Sequence, residues 1–138
     1  MRLTYAITAC TSALILTACT HTVDLTSAKA HIVDANAVIE VALGRHDVQV
    51  IKGRELYFSI VVVECADKSK KFPLQPFLGG KRLEGGNFPI ATSATVHGTM
   101  PISNFQRYEK PCIFLEGGGY FSGKLSSPLV PVMLATSN

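Results

Sequence analysis

The segment Gly117-Gly118-Gly119-Tyr120-Phe121-Ser122-Gly123-Lys124-Leu125 comes nearest to a ligand-holding pattern. Gly118, four intervening residues, Gly123 and Lys124 match the spacing of a phosphate-binding loop. In such a loop backbone N–H groups cradle the phosphates, a Ser or Thr after the Lys holds magnesium, and a helix follows. Here Leu125 occupies the hydroxyl position, and Pro128 and Pro131 forbid a long helix. Nucleotide binding is therefore not expected. The glycines are read as a tight bend or bulge after a strand, with Tyr120 and Phe121 packing beside it. Ser122 has Tyr120 rather than Gly two residues before it, so a nucleophile elbow is absent too.

Nucleophilic or acid–base catalysis would need one of the four histidines, His21, His31, His46 or His97. His46 and Asp47 are adjacent, and adjacent side chains diverge on a strand, so they do not form a dyad. His97 beside Gly98 is the remaining candidate, if the fold brings a carboxylate to it. The glutamates are scattered singly, and Glu64, at the end of an apolar run, is expected to be a satisfied strand-end carboxylate. No cofactor or metal is expected, since neither Cys65 nor Cys112 has a His within its own strand.

The cysteines carry more information. The chain opens MRLTYAITACTSALILTACT, with nearly the same tetrad ending at Cys10 and at Cys19. Arg2 supplies a positive n-region, Leu3 to Leu16 an apolar run, and Thr17-Ala18 the small residues of a cleavage site, which together describe a secretory signal. The run is too short to span a bilayer, which takes about 20 apolar residues. Leu16-Thr17-Ala18-Cys19 resembles the lipobox of bacterial lipoproteins. That resemblance covers only residues 1–19 and implies that Cys19 is acylated and becomes the mature N-terminus. Cys10 lies too close to Met1 to follow a full apolar run, so it leaves with the signal. In the lipoprotein family an Asp after the acylated Cys commonly retains the protein at the inner membrane; Thr20 there implies the outer membrane. The expected organisation is a signal at 1–18, a lipidated polar tether at 19–29 and one domain at 30–138.

Removing residues 1–18 takes away Arg2 and lowers the formal charge from +3 to +2, too weak a field to suggest nucleic acid. An exported chain with one remaining thiol pair is expected to join Cys65 to Cys112. The bridge would close a loop of about 48 residues, for which chain entropy gives about 4 kcal/mol.

These groups must be positioned by a mostly β domain. Turn residues recur between runs rich in β-branched and aromatic residues. The runs predict strands near 31–34, 37–43, 47–52, 55–65, 91–98, 111–116 and 128–134, with a further short strand near 71–77. Residues 28–43 are read as two strands turning at Asp34-Ala35-Asn36, although their alanine content also suits a helix. In the longest run Leu56, Phe58, Ile60 and Val62 fall on one parity and Tyr57, Val61, Val63 and Cys65 on the other, which predicts a central strand covered on both sides. Pro101 to Tyr108 should contain a short helical turn. The expected fold is all-β: an antiparallel β-sandwich of immunoglobulin-like architecture with about seven short strands, though without the tryptophan of true immunoglobulin domains.

Asp67 to Phe88 is read as a long loop or loose hairpin over the sheet. It carries Lys68, Lys70, Lys71, Lys81 and Arg82, interleaved with Phe72, Phe77 and Phe88. Cations for steering and aromatics for anchoring make it the expected contact for a partner: lipopolysaccharide phosphate, anionic headgroups or an acidic protein. The expected function is a lipid-anchored, non-enzymatic binding module of the bacterial envelope that engages a protein partner, either an envelope-machinery accessory or an immunity or exclusion lipoprotein. A small periplasmic hydrolase or carbohydrate-active domain and a passive structural lipoprotein are the alternatives.

Overall fold

A computed structural model describes residues 20–84, 87–88, 92–119 and 123–135. Strands β1 (Thr20–Thr22), β2 (Ala28–Val33) and β3 (Asn36–Leu43) lead into helix α1 (Arg45–Gly53). Then come β4 (Tyr57–Glu64), β5 (Asp67–Leu74), β6 (Phe77–Leu78), β7 (Lys81–Arg82) and β8 (Ala94–Pro101). Helix α2 (Ile102–Phe105) follows, and β9 (Pro111–Gly119), β10 (Gly123–Ser126) and β11 (Val130–Leu134) complete the set.

The strands form one curled sheet in the order β1-β10-β9-β11-β2-β3-β8-β6-β7, with β4 on the other edge of β9 and β5 beyond it. The mostly β expectation is met, but the purely antiparallel one is corrected: β1 runs parallel to β10, and β11 parallel to β2. Both parallel pairs join segments far apart in the chain, which local turn chemistry does not report. Curling brings Ile39, Val41 and Val96 from β3 and β8 into one buried cluster with Phe58, Ile60, Ile113 and Leu115 from β4 and β9.

Strand β4 behaves as its two apolar parities require. Phe58, Ile60 and Val62 enter the main cluster, while Val61 and Val63 form a second, smaller one with Cys112 on the opposite face. Residues 28–43 are two strands, and Asp34 takes a positive φ of 53° at their turn.

Three local expectations are corrected. Residues 47–52 lie in α1 rather than in a strand. Val48 and Ile51, three apart, are the buried apolar pair of that helix, with Asp47 in its first turn and Lys52 in its last, complementing its dipole. The Asp67–Phe88 region, read as a long loop or loose hairpin, holds three strands among its described residues: β5, whose second half is the short strand expected near 71–77, and the small antiparallel β6–β7 pair. Strand β5 pairs only with β4 among the described residues, and its lysines and Pro73 are what an edge strand carries against pairing with another chain. The stretch read as a tether is part of the sheet: Thr20 and Thr22 are partnered with Lys124 and Ser126, and Val23 and Leu25 are buried.

Candidate functional site

Strand β9 defines two ends of the molecule. Its Gly119 end lies level with Gly123 of β10 and hence near Thr20 of β1. Its Pro111 end is partnered with Glu64 of β4. Eight steps at about 3.3 Å separate the two, about 26 Å along the strand.

At the Pro111 end the segment after α2 is held from several sides. Phe105 is buried, and the Tyr108 N–H donates to the Phe105 carbonyl at 3.2 Å. The two carboxylate oxygens of Glu64 accept from the backbone N–H groups of Glu109 and Lys110, each at 2.9 Å. The Cys65 N–H donates to the Lys110 carbonyl at 2.9 Å, and Cys65 is disulfide-bonded to Cys112 with 4.9 Å between Cα atoms. Glu64 is thus the satisfied strand-end carboxylate its sequence position suggests, and the expected disulfide is present.

This clamp presents Tyr108 as a ridge between two grooves. One, of about 450 Å³, is lined by Glu64 of β4, by Asp67, Lys70 and Phe72 of β5 and by Asn104, Arg107 and Tyr108. The other, of about 340 Å³, is mostly apolar, lined by Ile32, Ile102, Phe105, Pro111 and Leu134 along with Tyr108, and Gln106 and Glu109 are its polar members. Ile32 and Leu134 remain 45% and 62% exposed, well beyond what a core residue shows.

The Tyr108 hydroxyl donates to the Lys70 carbonyl at 3.3 Å, which ties the ridge to β5. Burial raises its pKa above the ordinary phenol value; Arg107 opposes the rise and the Glu64 charge adds to it. The ridge therefore stays a neutral hydrogen-bonding phenol at physiological pH. Asp67 is held below the usual carboxylate range, first by the Ser69 backbone N–H that donates to it at 2.9 Å and then by the Ser69 hydroxyl. An Arg and a Tyr on a rigid ridge, flanked by a charged groove and an apolar one, suit a polypeptide surface with a matching polar and apolar edge.

The residues expected at the partner surface are dispersed. Lys70 and Phe72 line the charged groove, and Lys68 is exposed on the same strand. Lys71 points to the other side of β5, where it meets Glu116 at 3.2 Å and lies 5.2 Å above the Phe114 ring. Lys81 is exposed on β7, and Arg82 is engaged with Glu84 at 3.0 Å. Phe77 stacks on His97 at 5.9 Å, and Phe88 is buried against Phe58. Five cations and three aromatics close in sequence therefore do not form one surface.

The described parts of the glycine segment, Gly117–Gly119 and Gly123–Leu125, are strand. Gly117 and Gly118 lie in β9, where a Cβ on Gly117 would collide with the Tyr57 backbone and one on Gly118 would lie 2.7 Å from the Gly123 carbonyl oxygen. Their function is close strand approach rather than a bend after residue 116. Tyr120 and Phe121, like Cys10 and Cys19, lie outside the described residues.

His97 faces Glu40 across the β3–β8 pair, on the outer side of the sheet, and His31 Nδ1 is 3.9 Å from the Glu40 carboxylate. Among the described residues no group of three His, Cys, Asp or Glu is placed to hold a metal ion. His46 and Asp47 lie in α1 rather than on a strand, and both meet His21, a partner that the sequence concealed. The His46 ring is 5.7 Å from the His21 ring. Asp47 is 5% exposed and hydrogen-bonded to Nε2 of His21 at 2.9 Å.

Sequence reasoning missed Asn104, Arg107 and Tyr108, and the only available signal was indirect: a short helix between two prolines, ending in Arg-Tyr. No protein-family model matches the chain and no curated relative is found for it, so its function has to be read from its own residues.

Proposed function

We propose that this chain is a lipid-anchored, non-enzymatic binding module of the bacterial envelope. Cys19 is its acylation site, the outer membrane is its location, and the Tyr108 ridge with its two grooves is its contact with a protein partner. The observation that carries this reading is the clamped Arg107-Tyr108 pair at the Pro111 end, away from the N-terminal strand. Arg and Tyr are the residue types that dominate interface energies, and pre-organisation lowers the entropy cost of engaging a partner. From the residues expected at the partner surface, Lys70 and Phe72 belong to this contact. The scaffold is read as an immunoglobulin-like sandwich, supported by the main core cluster that β3 and β8 share with β4 and β9.

The partner is a protein of the envelope or one that enters it, as an accessory factor or as the target of an immunity or exclusion lipoprotein. Affinity capture from envelope extract with lipidated protein tests this. Tyr108→Ala or Arg107→Ala should reduce capture of a specific protein at least about tenfold, the scale of an interface hot spot, without loss of the fold. Unchanged capture by both folded variants would place the contact elsewhere.

The hydrolase alternative has one observation in its favour, the facing pair Glu40 and His97. It predicts that His97→Ala abolishes turnover of an envelope polymer, and the absence of any turnover to abolish would discard it. A protein that captures nothing specific would fit the passive structural role.

A further inference from the structure

The chain is bound into the fold from the residue after Cys19 onward. Thr20, the next residue, is in register with Lys124, Thr22 is in register with Ser126, and the Val23 N–H donates to the Ser126 carbonyl at 2.8 Å. Val23 is completely buried, so this segment cannot peel away without opening the core. His21 fastens it a second time through Asp47 at the start of α1. A flexible tether over residues 19–29 would let the body wander about 18 Å from its anchor. A single peptide step from Cys19 to Thr20 allows about 3.8 Å.

The surface at this end is suited to that proximity. Register places Thr20, Lys124, Gly118 and Tyr57 in one row across β1, β10, β9 and β4. Directly opposed residues share a face, and the alternate positions Leu125 and Phe58 point into the core. Lys124 and Tyr57 therefore lie together on the outer face, where Tyr57 is 52% exposed. Arg45, also exposed, opens the helix that Asp47 ties to β1. Of the nearby carboxylates, Glu116 meets Lys71 and Glu84 meets Arg82, and exposed Glu55 lies in a segment that also carries the exposed cations Lys52 and Arg54.

We infer that the end of the sheet bearing Thr20, Tyr57, Lys124 and Arg45 seats directly on the phospholipid headgroups, holding the molecule in a fixed orientation with the Tyr108 grooves facing away from the bilayer. This rests on the proposed acylation of Cys19. Tyr is favoured at the membrane–water boundary, and Lys and Arg are drawn to anionic headgroups.

The test uses full-length, lipidated protein in vesicles of phosphatidylethanolamine and phosphatidylglycerol. A benzoylphenylalanine photo-crosslinker is placed at position 57 or, as the distal control, at position 33, where Val33 is 46% exposed. Position 57 should form lipid adducts in several-fold greater yield than position 33. Inserting about 20 Gly and Ser residues between Cys19 and Thr20, enough for a freely moving body, should bring the two yields together. Lys124→Glu, which leaves the register intact, should lower the yield at 57 in the same direction. Equal yields in acylated protein without the insertion would overturn the seating while leaving the lipid anchor in place. A mature chain whose mass shows no acyl group would overturn the anchor, and the seating with it.

Discussion

At the Gly119 end of β9 the chain is held by what its side chains omit, whereas at the Pro111 end it is held by what they supply. Near Gly119, three strands approach closely because Gly117 and Gly118 carry no Cβ, and a short polar strand, β1, completes the edge. Near Pro111, closure comes from a disulfide, from a carboxylate that accepts two backbone N–H groups, and from a buried phenylalanine. Backbone register makes a flat, closed edge with little to grip. Side-chain clamps can hold an irregular segment proud of the sheet, and irregular segments on rigid scaffolds are where binding surfaces form.

The two modes of closure can be separated by mutation. The largest effect is expected from Cys65→Ala with Cys112→Ala, which frees a loop spanning 47 positions and should cost about 4 kcal/mol in urea unfolding. Resonances of the Tyr108 segment should broaden while those of β1 and β10 keep their positions. Loss of both ends together would show that they are one cooperative unit. Next is Gly117→Ala, which drives a methyl group into the Tyr57 backbone, with the Phe58 Cα 2.6 Å away. Forced overpacking of this kind should cost about 3 kcal/mol and should disturb the β4–β9 register from the Gly119 end first. A variant as stable as the parent would show that the strands have room to separate.

A smaller effect, about 2 kcal/mol, is expected for Asp47→Ala, because it strands the part-buried His21 ring without its acceptor. The loss should appear in thermal unfolding and in faster hydrogen exchange at Thr22 and Val23, with partner capture unchanged. Reduced capture would mean that the two ends communicate.

What the sequence revealed follows the same division. The double apolar parity of β4, the Asp34 turn, the disulfide and the satisfied Glu64 were all legible, since each depends on local pattern or on simple elimination. Helix α1 was concealed because Val48 and Val50 alternate with polar neighbours like a strand, while the buried pair that matters is Val48 and Ile51. Strand β5 was legible only in its second half, within the short strand read near 71–77, because an edge strand needs few apolar residues. The anchoring of β1 was concealed because its burial rests on Val23 and Leu25 alone, in otherwise polar surroundings. The grooves were least legible of all. Glu64 meets the Glu109 N–H across 45 positions, and Tyr108 meets the Lys70 carbonyl across 38. No local periodicity encodes such meetings.

The smallest expected effect sharpens the contrast within the Pro111 end itself, between a clamp that is covalent and one that titrates. Asp67 is fully exposed, and its carboxyl is held below the usual carboxylate range by hydrogen bonds from Ser69, with Lys70 adding a weaker attraction. A carboxylate whose folded pKa is depressed contributes stability above its unfolded pKa, near 3.8, and loses it as pH falls through the lower folded value. Asp67→Asn keeps an acceptor for the Ser69 N–H and removes only the charge. The melting temperature of the parent should therefore exceed that of the variant by a small, constant margin near neutral pH. The margin should narrow only below about pH 3.8 and vanish once Asp67 is protonated in the folded state. High salt should shrink the part due to Lys70, since exposed charges are screened. A margin that persists undiminished at the lowest pH would mean that the amide has disturbed the turn, and that the charge of Asp67 contributes nothing to holding β5 beside the ridge.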